Sequence, residues 1–143
     1  MARFGEHAES FEFTTDRFDH SSDLSPEANA GNRFYGRDVA SFVSSGLTGR
    51  GLEASFIDED WGWQAHAKLP DETVLEISIY HNPDEHPAPE DDWMLMVRGL
   101  RKERKLGITR FRETEVNADV ASMLEDVFRQ AGIELRRTRR PDI

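Results

Sequence analysis

Apolar and polar residues alternate from Glu59 through Leu69. Trp61, Trp63, Ala65, Ala67 and Leu69 fall on one side; Gly62, Gln64, His66 and Lys68 fall on the other. A period of two predicts a half-buried antiparallel strand whose two indoles face the core. The same alternation returns at 73–81, with Leu75, Ile77 and Ile79 inward and Glu76 and Ser78 outward. The stretch 52–57 also reads as a strand, and 93–98 is apolar enough on both faces to be central or helix-covered. Phe11 and Phe13 flank Glu12, which predicts a short first strand, at a sheet edge or else a tail whose phenylalanines dock loosely. A further strand is expected over 106–112, after a basic turn at 101–105.

Two segments carry helical spacing instead. Val39, Phe42, Val43 and Leu47 form one stripe, predicting a helix over about 36–48 with Asp38 near its positive end. Gly46, Gly49 and Gly51 read as breakers, with Gly49 or Gly51 able to take the left-handed cap. Val120, Met123, Leu124, Val127, Phe128 and Ala131 give the strongest amphipathic signal, opened by Asn117 as cap and closed at Gly132-Ile133. The order strand–helix–strands–helix predicts one α+β domain over 1–143. The expected core is a single antiparallel sheet of about five strands, with the two helices packed on one face. Residues 1–32 read as partly mobile and 136–143 as a frayed basic tail.

In element order the chain resembles two-layer folds such as the TATA-binding-protein-like fold and the secretion-chaperone fold, which implies no function. Phe34-Tyr35-Gly36-Arg37-Asp38-Val39-Ala40, then Gly46-Leu47, then Glu59-Asp60-Trp61-Gly62-Trp63 resembles a pattern in small uncharacterised bacterial proteins. There a helix starting after an aromatic–Gly pair leads into an Asp-Trp-Gly-Trp strand. The resemblance spans roughly 33–69 and implies a stand-alone bacterial domain, with no activity, cofactor or catalytic residue attached.

Composition narrows the function classes. The 143 residues contain no cysteine, which excludes disulfides and thiolate metal sites and suits a reducing cytoplasm. No apolar run approaches the ~20 residues of a membrane helix. The 15 arginines and 3 lysines fit a GC-rich bacterial source. Net charge is −10, and it divides unevenly, −14 over residues 1–92 and +4 over 93–143. This balance argues against nucleic acid as a partner and leaves two readings open. Either the halves neutralise each other across the fold, or an acidic face awaits a basic partner.

Candidate chemistry is sparse. His81, Asp84 and His86 put imidazole and carboxylate in one proline-rich loop, where Zn²⁺ or Mn²⁺ could bind, though a solvated acidic loop explains them as well. Asp58, Glu59 and Asp60 could join them if the loops converge, but lack a calcium-loop pattern. His66 could act in acid–base chemistry or simply sit at the surface. No nucleophile elbow is present. The glycines at 46–51 follow a helix, whereas a phosphate loop precedes one. The basic run 98–112 and the arginine tail are the only nucleic-acid candidates, with Phe111 and the tryptophans able to stack bases. Met94 and Met96, opposite Leu95, suit either core packing or an adaptable contact.

The sequence therefore predicts a non-enzymatic protein-binding module, immunity-type or chaperone-like, without cofactor, whose partner is another protein of basic character or a second copy. Its interaction candidates are Asp58, Glu59, Asp60, Gln64, His66 and Lys68. The competing expectation is a small metal-dependent enzyme or ligand-binding protein using the 81–86 and 58–60 loops.

Overall fold

The computed structural model describes residues 8–15, 18, 36–59, 62–81, 92–116 and 118–138, with backbone alone at 59, 62, 81, 92 and 138. The strands are β1 (Glu9–Thr14), β2 (Glu53–Glu59), β3 (Gly62–Lys68), β4 (Val74–His81), β5 (Asp92–Lys105), β6 (Ile108–Thr114) and β7 (Arg136–Thr138). The helices are α1 (Arg37–Thr48) and α2 (Ala118–Arg129). All seven strands join one antiparallel sheet, in the order β2-β3-β4-β5-β1-β7, with β6 also paired to β5.

The α+β class with an antiparallel sheet holds, but about five strands in a strand–helix–strands–helix order does not: among the described residues there are seven, and the last element is a strand. Two physical effects account for the difference. β5 continues to Lys105 through the expected basic turn, because its far half pairs with β6 and needs no buried face to persist. Part of the expected frayed tail, Arg136–Thr138, becomes β7 by pairing with Ser10, Phe11 and Glu12. Backbone pairing creates that strand, since its side chains show no apolar alternation.

β5 organises the sheet. One edge pairs with β4 from Trp93 to Leu100. The other pairs with β1 from Asp92 to Val97 and then with β6 from Gly99 onward. The inward residues follow the period of two. Phe11, Phe13, Trp63, Ala65, Ala67, Leu75, Ile77, Ile79, Trp93, Leu95 and Val97 are buried in one cluster with the apolar stripes of both helices. Both helices therefore cover the same sheet face. Trp63 is an anchor as expected, while Trp61 lies outside the described residues.

Aromatic rings knit the core. Phe13 lies 4.8 Å from Phe128 and 6.4 Å from Trp93, centroid to centroid, and Phe42 lies 5.1 Å from Phe128. Gly46 does not break α1. It lies within the helix where α2 crosses, and a Cβ there would meet Val127 Cγ1 at 2.4 Å. α2 ends as its sequence predicts. Gly132 has φ +78°, its N–H donates to the Arg129 carbonyl, and Ile133 N–H reaches the Phe128 carbonyl. Only a residue free to take positive φ closes both bonds, which satisfy carbonyls the helix leaves open.

Candidate functional site

The helices cover one face of the sheet. The opposite face carries no helix among the described residues. Register sets its side chains in rows. One row runs Ser55, His66, Glu76, Arg98 across β2 to β5. The next runs Ile57, Gln64, Ser78, Met96, Ser10 from β2 to β1. A third places Tyr80, Met94 and Glu12 side by side. Alternation forces this arrangement, because each residue between two core positions must point away from the helices.

The rows are internally bonded. The Gln64 amide donates to Ser78 Oγ at 3.1 Å, leaving Gln64 buried although it faces away from the core. Arg98 Nε donates to Glu76 Oε1 at 2.9 Å, and Arg98 Nη2 closes a second contact on the same oxygen. Both side chains are about four-fifths covered, so their attraction is screened less than at an open surface. At the sheet's end Lys68 pairs with Glu72 at 3.0 Å, and that bond raises the Lys68 pKa above its ordinary value. In the adjoining turn Asp71 Oδ1 accepts from Thr73 N–H at 3.0 Å, which holds the Asp71 pKa low.

The six interaction candidates do not form one group. Gln64, His66 and Lys68 line β3 on the open face. Asp58 lies across from Trp63 and shares the helix-side face with Ala54 and Phe56. A period of two separates them, since Asp58 is an even step from Phe56 while Gln64 is an odd step from Trp63. The Glu59 side chain and Asp60 lie outside the described residues. Of the metal candidates, His81 is the last residue of β4, and Asp84 and His86 lie outside the described residues. Among the described residues no three His, Asp or Glu side chains stand together in a cluster able to hold a metal ion. No described helix is long and apolar enough to cross a membrane.

Clefts lined by described residues flank the helices. One of about 380 Å³ lies where α1 and α2 meet, lined by Phe42, Ser45, Gly46, Val127, Gln130 and Ala131. Another of about 500 Å³ lies beside the end of α2, with Glu125, Arg129 and Glu134 in its lining. Neither brings a histidine to a nucleophile, so neither presents an acid–base pair. The Glu76–Arg98 pair was hidden from sequence reasoning, because only the β4–β5 register makes neighbours of residues so distant in the chain. The sole available signal was opposite charge at outward positions of two strands. No protein-family model, curated protein or solved structure matches the chain.

Proposed function

We propose that this is a non-enzymatic binding module that takes another protein on its open sheet face. The observation that carries the reading is the composition of that face. Met94, Met96, Tyr80 and Ile57 are partly exposed there, set among Gln64, Ser78, His66, Glu76 and Arg98. Flexible thioethers and an amphipathic ring beside fixed hydrogen-bonding groups suit a contact that is apolar at its centre and polar at its rim. A net charge of −10 steers a basic partner toward the molecule and speeds encounter. The immunity-type or chaperone-like role belongs to the same reading.

The test compares the wild type with a Met94→Lys/Met96→Lys variant in capture from a soluble bacterial extract, at low and high salt. A basic protein retained by the wild type at low salt and lost with the variant supports the reading. Equal capture by both proteins, with both folded by tryptophan fluorescence, refutes it.

A further inference from the structure

The β5–β6 hairpin outruns the sheet that supports it. Pairing with β4 ends at Leu100, and pairing with β1 ends at Val97. From Arg101 paired with Arg112 to Lys105 paired with Ile108 the two strands pair, among the described residues, only with each other. At about 3.4 Å per residue this arm reaches roughly 17 Å beyond the body. All its residues but Glu103 are exposed.

Its charge opposes that of the body. Residues 99–114 carry six Arg/Lys against two Glu, a net of +4, so the remainder of the chain carries −14. The cations occupy both faces of the ribbon. Arg101, Lys105, Arg110 and Arg112 share one face with Glu103, and Lys102 and Arg104 share the other with Phe111. Arg112 lies 3.5 Å from Glu103, whereas Lys102, Arg104, Lys105 and Arg110 have no ion pair among the described residues. At the tip Leu106 is 94% exposed and Ile108 61%, and Phe111 behind them is 62% exposed.

We infer that this arm binds double-stranded DNA by entering the major groove. The groove is about 12 Å wide and admits a two-stranded β-ribbon. A ribbon charged on both faces matches a channel with phosphates on both walls, whereas a flat anionic surface engages one face only. The apolar tip and Phe111 then meet the groove floor, where thymine methyl groups accept apolar contact. The acidic body does not forbid the approach. The tip stands about two screening lengths from it at physiological salt, where one length is about 8 Å.

A second copy of the chain fits the arm less well. Antiparallel self-pairing of the β6 edge, which carries no partner strand among the described residues, about Phe111 would set Arg110 against Arg112, and like charges directly opposite repel. Three carboxylates of the body are already engaged within the chain, Glu72 by Lys68, Glu76 by Arg98 and Asp126 by Arg129.

The test is fluorescence anisotropy of a labelled 24-base-pair duplex with the full chain and with a Lys102→Glu/Arg104→Glu/Arg110→Glu variant. These side chains are exposed, so the variant keeps its fold, as unchanged tryptophan fluorescence verifies. Neutralising about five phosphates predicts binding that weakens about 500-fold between 50 and 200 mM salt, and the variant losing it. Absence of binding at 50 mM salt, or equal binding by the variant, overturns the inference. So does a wild-type dimer that the variant loses while the duplex stays unbound, or arm-dependent binding to phosphatidylserine vesicles in place of the duplex. Loss of the Met94/Met96 contact leaves these outcomes unaffected.

Discussion

Replacing Gly46 with alanine tests the helix crossing directly. On an isolated helix the change stabilises by about 1 kcal/mol, since glycine is the poorer helix former. Here the new methyl would stand 2.4 Å from Val127 Cγ1 and 3.2 Å from Cγ2. Carbon atoms in contact sit at about 3.5–4.0 Å, so the helices or Val127 must give by more than about 1 Å. Val127 is buried, and a β-branched residue on a helix is held to one χ1 well, so it cannot turn aside. Overpacking of this kind costs about 1–3 kcal/mol, and a shortfall this large belongs at the upper end. The net expectation for Gly46→Ala is a loss of about 1–2 kcal/mol. Urea denaturation followed by the buried Trp63 and Trp93 reads it as a midpoint lowered by roughly 0.5–1 M. Val127→Ala removes the obstructing methyls. In that background Gly46→Ala should become neutral or stabilising, giving a coupling of about 2 kcal/mol. A higher midpoint for Gly46→Ala alone, or the same cost in both backgrounds, refutes the crossing argument.

Phe13→Ala empties the centre of the aromatic cluster shared with Trp93 and Phe128 and should cost about 3–5 kcal/mol; a loss under about 1 kcal/mol by the same denaturation assay contradicts the packing. Removing residues 136–143 deletes β7 and the Arg137 guanidinium over the Phe11 ring, 5.8 Å from its centroid. It should lower stability by about 1–2 kcal/mol, and an unchanged midpoint returns the tail to an unstructured role. Asp71 has a folded-state pKa below its unfolded value, so its charged form contributes stability above pH about 4 that disappears as pH falls through the folded value. The stability difference between wild type and Asp71→Asn should therefore shrink on acidification below pH 4, and a difference constant from pH 7 to 2 rules the linkage out.

The legible parts of this fold are those where one face meets a core. The alternation at Trp63, Ala65 and Ala67, or at Leu75, Ile77 and Ile79, transmits burial straight into the residue pattern. The stripe of α2 and its glycine stop do the same for a helix. The hidden parts are held by backbone pairing alone. Arg101 to Lys105 has no buried face to alternate with, so its charges resemble a turn. β7 is three residues long, and only β1 makes it a strand. Gly46 misleads for a different reason, since its meaning lies in Val127 on another helix. Of the candidate site, the side chains on β3 were readable, but their division from Asp58 depended on knowing where the strand phase fell across the β2–β3 hairpin.

The pairing of β1 also dictates an order of assembly. β2 through β6 are joined in sequence, each strand beside the next, so they can zip by short hairpin closures. Phe11, by contrast, must find Leu95 and then Arg137, partners from distant parts of the chain. Such contacts form late because their loop-closure entropy is repaid only after the local structure exists. The meander is thus the kinetic template, and the seam uniting the two ends of the chain is the last to close. By the same balance it is the first to open under native-state hydrogen exchange.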